Sequence, residues 1–350
     1  MSDAFAATLK DWDGESVVVG RDGPTETWIF IALHDTRLGP ATGGTRLATY
    51  ATPNDGLVDA LRLSEGMTYK WAGLGMPYGG GKAVLAAPGP LDEDARTGLL
   101  DRYAARLASL RGAFRTGVDL GTTPEDMARI GALSGQAMGI VDGHPEDPGP
   151  YTALGVFVGM RAAVSRRFGS ESLEGRSVLV QGVGDVGLPL AEMLVEAGAL
   201  VRLCDIDADR AEAAATRLGA GVVDPERMWD EDVDVYAPCA IGATVNPDTV
   251  PRMRCRIVAG SANNQLLTPA DAEALHARGI LYAPDYIINA GGAMAFGRMS
   301  DGVRERAVLE AEVVGIEESL RQIFEEAEEA GESPLWAAQR RAERFLASAS

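Results

Sequence analysis

The sequence predicts an α/β protein of two domains, the second built on a doubly wound parallel sheet. Three observations lead there. The chain has 350 residues, more than one domain ordinarily needs. A stretch rich in Gly, Pro and acidic residues, Gly139 to Pro150, interrupts the pattern and reads as a domain junction. Beyond it short apolar strands alternate with helical periodicity, as a parallel sheet covered by helices requires. The expected domains are 1–140 and 151–330.

In the first domain, Val17 to Val19 and Thr27 to Leu33 read as strands, and GPATGGTR, residues 39–46, reads as a loop. Asn54 or Asp55 then caps a helix whose apolar positions include Leu57, Leu61 and Met67, and which delivers Lys70 near its C-terminal end. Gly79, Gly80 and Gly81 precede Lys82, and Ala83 to Ala87 reads as a strand. Leu99 to Leu110 is helical in pattern, and Thr116 to Thr123 is a strand end entering a turn.

In the second domain, a long helix is expected over Tyr151 to Phe168 and a buried strand over Ser177 to Val180. Further strands are expected at Val201 to Cys204, Val233 to Ala237, Ile257 to Ala259 and Ile280 to Ala283. The tail from about Arg304 is helical in pattern and rich in Glu and Arg.

Bulk composition excludes several classes. No run approaches the roughly 20 apolar residues of a membrane-spanning helix. The start, MSDAFAATLKDWDGES, lacks the basic segment and apolar run of a secretory leader. Cys204, Cys239 and Cys255 lie far apart with no CxxC spacing, which argues against a disulfide framework or a zinc site and fits a reducing cytoplasm. The net charge of −19 argues against nucleic acid as a partner. The 32 basic residues are 29 Arg and only three Lys, namely Lys10, Lys70 and Lys82. Arginine keeps its proton in proteins, whereas a buried lysine can lose it and serve as a base. Two of the three lysines fall in one short Gly-rich stretch.

The segment VLVQGVGDVG, residues 178–187, places Gly182, Gly184 and Gly187 as GxGxxG between a strand and a helix, Leu188 to Ala197. Gly182 permits the tight turn, Gly184 lets the backbone approach a pyrophosphate, and Gly187 allows close packing of helix on strand. Asp185 and Val186 complete the turn that leads into the helix N-terminus, whose N–H groups suit phosphate. Asp205, after the next strand, is the acid expected to bond the adenine ribose, with Asp207 a nearby competitor. An acid there repels a 2′-phosphate, so NAD is expected rather than NADP.

A nucleotide fold does not name a reaction. An amino or oxo acid needs cations or N–H groups for its carboxylate and a base near Cα. Gly43 to Arg46 reads as a turn whose backbone could meet a carboxylate, Lys70 as a fixed charge, Lys82 as a group brought close by glycines, and Asp119 as a carboxylate at a strand end.

The segments GPATGGTRLATY, GMTYKWAGLGMPYGGGKAV and TGVDLGTTPEDM, with YTALGV, DVDVYAPCAIGATVN, VAGSANNQL and YAPDYIINAGG, resemble the leucine, phenylalanine and valine dehydrogenases of the glutamate dehydrogenase superfamily. The resemblance runs in order from about Val17 to Gly292. It implies an N-terminal α/β substrate and oligomerisation domain, a C-terminal Rossmann-type NAD-binding domain, and a cleft between them that closes on substrate. It also implies a homo-oligomer, and a final helix, about 331–350, packed back on the first domain.

By resemblance, Lys70 binds the substrate carboxylate, Lys82 is the catalytic lysine, and Asp119 exchanges a proton with the substrate amino group. Gly43 and Gly44 supply backbone to the carboxylate. Thr152 sits against the nicotinamide carboxamide, Ala240 against the cofactor, and Asn264, or alternatively Asn263, near the nicotinamide and substrate. The reaction implied is reversible oxidative deamination of an apolar L-amino acid to its 2-oxo acid, ammonia and NADH. Lysine, with an ordinary pKa near 10.4, must then act as a base about 2 units lower, so an alkaline optimum is expected.

The side-chain pocket implied comprises Thr42, Gly117, Ala293 and Phe296. Gly117 and Ala293 make room and Phe296 takes some back. Two departures touch this picture. AMAFGRMSDGVRERA replaces a longer acidic stretch after NAGG, and the linker before Thr152 is short and rich in proline. They leave two other readings open, a recruited relative acting differently on an amino or oxo acid, and a non-catalytic NAD-binding protein. A hydroxy-acid dehydrogenase would want a His–carboxylate pair, and His34, His144 and His276 lie in no such motif.

Overall fold

The computed structural model describes residues 3–10 and 12–349. Met1, Ser2 and Asp11, which belong to the leader reading, and Ser350, at the end of the expected final helix, lie outside them. By contact density the chain forms two units. One comprises Met1–Asp147, Phe296–Arg304 and Ala342–Ser350, the other Pro148–Ala295 and Glu305–Arg341.

The first unit opens with helix α1 (Asp3–Lys10) and strands β1 (Ser16–Arg21), β2 (Trp28–Asp35) and β3 (Ala41–Thr49). Helix α2 (Pro53–Gly73), strand β4 (Gly79–Ala87), helix α3 (Glu93–Ser109), strand β5 (Phe114–Val118) and helix α4 (Pro124–Ser134) follow. The five strands form one sheet in the order β1-β2-β4-β3-β5. β1, β2 and β4 pair antiparallel, whereas β3 lies between β4 and β5 and is parallel to both. One face buries Phe30, Ala32, Val84 and Ala86 against Leu57, Ala60 and Leu61 of α2. The other buries Ile29, Ile31 and Leu85 with Leu99, Tyr103 and Leu107 of α3 and Met127 and Ile130 of α4. With both faces covered, the inner strands are apolar along their length rather than alternating.

Two sequence expectations are corrected here. Residues 39–46 do not form a loop, because most of them lie in β3, and Gly43 to Arg46 is extended strand rather than turn. The paired glycines mimic turn chemistry but serve close approach of backbones. A β-carbon on Gly43 would overlap the Gly81 carbonyl oxygen on the neighbouring strand. The cap of α2 is Thr52, not Asn54 or Asp55. Thr52 Oγ1 accepts the Asp55 N–H and Asp55 Oδ2 accepts the Thr52 N–H at 2.8 Å, with Pro53 in the first turn, a reciprocal capping box.

The short strands β6 (Ile140–Val141) and β7 (His144–Pro145) form a hairpin, and the second unit begins with helix α5 (Gly149–Phe168). Strand β8 (Ser177–Gln181), helix α6 (Gly187–Glu196), strand β9 (Leu200–Cys204), helix α7 (Ala208–Leu218) and strand β10 (Gly221–Val222) come next. Strands β11 (Val235–Pro238) and β12 (Ile257–Val258), helix α8 (Ala270–Ala277), strand β13 (Leu281–Tyr282) and helices α9 (Asp285–Ile288), α10 (Gly291–Ser300), α11 (Arg306–Ala330) and α12 (Pro334–Ser348) complete the chain.

The second sheet is parallel throughout, in the order β10-β9-β8-β11-β12-β13. Counted along the chain this is 3-2-1-4-5-6, the doubly wound order whose direction reverses between the first and fourth strands. Here these are β8 and β11, and ligands of such sheets bind at the carboxyl ends of that pair. Among the described residues no helix is long and apolar enough to cross a membrane.

Candidate active site

Lys82 and Asp119 form an ion pair in the first unit. Lys82 lies inside β4 and is buried at 7% exposure, an unusual place for an ammonium without a partner. Asp119 follows the last residue of β5, and its side chain is 14% exposed. Its Oδ1 accepts the Leu120 N–H at 2.6 Å and faces Arg46 Nη2 at 3.5 Å. Its Oδ2 faces the Lys82 ammonium and makes no hydrogen bond of regular geometry, so this buried oxygen has capacity to spare. Burial by itself raises the Asp119 pKa, but the charges of Lys82 and Arg46 outweigh it and hold the carboxyl below the ordinary range.

β3 explains how the pair comes together. Thr42 and Thr45 lie opposite Gly80 and Ala83 on one side, and Gly44 and Thr45 lie opposite Gly117 and Val118 on the other. Gly44 therefore runs between the strands that carry Lys82 and Asp119. A β-carbon on Gly44 would stand 2.9 Å from Asp119 Cβ and 3.3 Å from Lys82 Nζ. Only glycine leaves that backbone uncovered beside both charges.

Lys70 lies in the last turn of α2. Thr68 is pressed onto Gly80, where any side chain would overlap its hydroxyl, and the Trp71 indole N–H donates to the Thr42 carbonyl at 2.9 Å. Met67, one turn before Lys70 on the same helical face, packs on Gly43. Lys70 thus belongs to the turn of α2 whose Met67, Thr68 and Trp71 pack on the glycine strands.

Of the residues expected to shape a side-chain pocket, Thr42 is fully buried and donates its hydroxyl to the Pro40 carbonyl at 2.8 Å. Gly117 faces Met138, whose Cε lies 3.3 Å from where a β-carbon would be. The Phe296 ring occupies the space a side chain on Gly139 would need. Met138 is 5% exposed, and its N–H donates to the Thr116 carbonyl at 2.6 Å, which lays this segment along the edge of β5. Sequence reading missed Met138, since a lone methionine after a helix carries no signal of its own. The altered segment after NAGG is anchored at Asp301, which accepts the Tyr78 hydroxyl at 2.5 Å and faces Arg115 Nη1 at 3.2 Å.

In the second unit the three glycines behave as their spacing implies. Gly182 has φ +96° and packs against Ala240, with 2.8 Å from its would-be β-carbon to Ala240 Cβ. Gly184 faces open space, and a side chain on Gly187 would overlap the Gly182 carbonyl. Helix α6 has no side-chain cap at Val186, the Leu188 N–H in its first turn donates to the Gly184 carbonyl at 3.0 Å, and Asp185 is exposed beside it. Asp205 Oδ2 accepts the Val183 N–H at 2.8 Å and its Oδ1 the Asp207 N–H at 2.9 Å. Asp207 is instead the cap of α7, accepting the Arg210 N–H at 3.1 Å. Asp205 is thus the acid tied to the phosphate turn.

Thr152, in the first turn of α5, donates its hydroxyl to the Pro148 carbonyl at 3.0 Å and leaves no room for a side chain on Gly292, next to half-buried Ala293. Asn263 accepts the Asn289 side-chain N–H at 2.8 Å, while Asn264 is exposed at φ +52°. The open Gly184, the uncapped helix and the acid at the turn fit a dinucleotide.

Comparison with known proteins agrees with this geometry. Residues 19–132 match the Glu/Leu/Phe/Val dehydrogenase dimerisation domain, and residues 200–333 match the Glutamate/Leucine/Phenylalanine/Valine dehydrogenase family. A leucine dehydrogenase from Bacillus subtilis is 40% identical over 341 residues, which cover 97% of this chain and 93% of that protein. A phenylalanine dehydrogenase from Thermoactinomyces intermedius is 40% identical over 332 residues, covering 93% and 89%. The crystal structure of an L-tryptophan dehydrogenase from Nostoc punctiforme superposes with a TM-score of 0.85 at 38% identity, over 98% of this chain and 99% of that one.

Proposed function

We propose, from the premise that this chain belongs to the Glu/Leu/Phe/Val dehydrogenase family, that it is an NAD-dependent amino-acid dehydrogenase converting an apolar L-amino acid to its 2-oxo acid and ammonia. The observation that carries this reading is the buried Lys82–Asp119 pair with the Gly44 backbone between its strands.

Gly182, Gly184, Gly187 and Asp205 would hold NAD, which would supply the acceptor for the hydride leaving the substrate Cα. Lys70 holds the substrate carboxylate as a fixed charge, with the Gly43–Gly44 backbone beside it. Asp119 Oδ2, free of regular hydrogen bonds, accepts from the substrate amino group and leaves that nitrogen ready to become an iminium. Neutral Lys82 takes a proton from a water as the water oxygen bonds to the iminium carbon. Lys82 then returns that proton through Asp119 to the carbinolamine nitrogen and, neutral again, accepts the hydroxyl proton as the C–N bond breaks, giving the 2-oxo acid and ammonia. We further infer a homo-oligomer assembled through the first unit, the part matched by the dimerisation domain.

The test is NADH formation at roughly pH 10, close to the ordinary lysine pKa of about 10.4, where a substantial fraction of a lysine base is unprotonated, across the twenty L-amino acids, with Lys82→Ala as control. Turnover of Leu, Val, Phe or Trp that disappears in the variant supports the reading. A protein that binds NAD yet turns over none of them has been recruited to other chemistry.

A further inference from the structure

We propose that Arg46 is the positioning residue of the Lys82–Asp119 pair, holding Asp119 Oδ1 in place and supplying the permanent positive charge that keeps this carboxylate ionised once Lys82 is neutral. The inference rests on the mechanism above and adds to it a residue that no step there uses.

Arg46 lies two residues beyond Gly44 on β3, on the same side of the strand. Its Nη2 is 3.5 Å from Asp119 Oδ1 and its Nη1 is 2.8 Å from Asp59 Oδ2, on α2. The side chains of Arg46 and Asp59 are 18% and 15% exposed. Asp59 is held in turn by the Tyr50 hydroxyl at 2.7 Å and by Arg62 at 3.1 Å. The row Asp59, Arg46, Asp119, Lys82, half-buried to buried, therefore alternates in charge. Arg46 Nε makes no hydrogen bond among the described residues, so the guanidinium is held at its two terminal nitrogens, one on each acid.

The two oxygens of Asp119 are thereby divided. Oδ1 is engaged by Arg46 and the Leu120 N–H, which leaves Oδ2 as the oxygen that meets Lys82 or a substrate amine. Arg46 matters most at the stage when Lys82 carries no charge. A buried carboxylate then tends to take up a proton, which would remove the acceptor for the amine. Arginine cannot give up its own proton at any working pH, so its charge remains when that of Lys82 is gone. As a contribution to stability alone, a buried ion pair is a poor investment.

The experiment compares the parent with Arg46→Gln, Arg46→Lys and the double variant Arg46→Gln/Asp59→Asn, which leaves no unpaired acid on α2 if the single change does not fold. Removing a positive charge raises the pKa of every titrating group beside it. The kcat/KM profile for deamination should therefore move to higher pH by about 1 unit or more in the glutamine variants and much less in Arg46→Lys. KM for NAD should not change.

A second readout needs no turnover. In protein labelled with [γ-13C]aspartate, the signal lost in Asp119→Asn should stay ionised to lower pH in the parent than in Arg46→Gln. Activity in the parent with an unmoved profile and an unmoved Asp119 signal in the glutamine variants would overturn the role of Arg46. An inactive parent whose Asp119 signal still depends on Arg46 would overturn the dehydrogenase reading and leave this one standing.

Discussion

The methyl carbon of Met138 lies 3.3 Å from the position a β-carbon would take on Gly117, so the space opened by a glycine on β5 is closed by a side chain from the next segment. We propose that Met138, with Phe296, which covers Gly139, limits a substrate side chain beside the Lys82–Asp119 pair. Met138→Ala should improve kcat/KM for the bulkiest accepted amino acid relative to the smallest by about 10-fold or more, the usual effect of one to three kcal/mol of pocket contact. Gly117→Ala should shift the ratio the other way. Relative kcat/KM over a Val, Leu, Phe and Trp series decides it, and an unchanged ratio in Met138→Ala removes Met138 from the pocket.

Gly43 and Gly44 are adjacent and should fail differently. A β-carbon on Gly43 overlaps the Gly81 backbone, which cannot yield, so Gly43→Ala should cost at least about 1–3 kcal/mol of stability. A β-carbon on Gly44 meets the Asp119 and Lys82 side chains, which can move aside. Gly44→Ala should fold but lose about 100-fold or more in kcat, as displaced reacting groups do. Thermal melts and steady-state rates on the two variants separate these outcomes.

Asp205 and Asp207 are likewise close in sequence and different in task. Asp205→Ala frees the Val183 N–H and should weaken NAD binding by about 10-fold, one charge-assisted hydrogen bond's worth. Asp207→Ala removes a helix cap and should cost about 1 kcal/mol of stability with little change in NAD affinity. Titration of cofactor fluorescence against each variant, beside its melting curve, reads both.

Acid stability follows from carboxylates held below their ordinary range. The Arg102 hydrogen bond is the main cause at Asp22, which is buried and also bonded by Thr25. A depressed native pKa contributes stability that is complete above the unfolded value, about 3.9, and is lost as pH falls through the native one. Asp22→Asn should therefore destabilise by about 1 kcal/mol at pH 7, a figure held down because Arg102 is 43% exposed. The gap from the parent should narrow below about pH 4. Melts at pH 7 and 3.5 that differ equally would contradict it.

The second unit was the more legible in sequence. Its strands are short, continuous and apolar, and GxGxxG carries a backbone geometry that few other folds need. The reversal in strand order that brings Ala240 to Gly182 follows from rules of handedness and connection rather than from any residue. In the first unit, glycine was ambiguous. Gly43 and Gly44 look like a turn because nothing local says that Gly81 will lie against them. Thr52 was overlooked as a cap because Asn54 and Asp55 have stronger intrinsic preferences, and only the bond back from Asp55 selects it. Lys70, Lys82 and Asp119 stood out through motif and composition. Arg46 and Met138 did not, since their partners are distant in the chain and common in type.

Lys82 and Gly44 lie in the neighbouring strands β4 and β3 and Asp119 directly follows β5, with β3 hydrogen-bonded on both sides. Of the three, only Asp119 lies outside a strand, and its turn is held by the Thr122 hydroxyl, which accepts the Asp119 N–H at 3.0 Å and donates to the Thr45 carbonyl at 2.9 Å. Amide protons along β3 should be among the last in the first unit to exchange with solvent, since they open only when the middle of the sheet does. Heat inactivation then becomes a gauge of cooperative melting, with no temperature window in which the fold survives but the reacting groups have drifted apart.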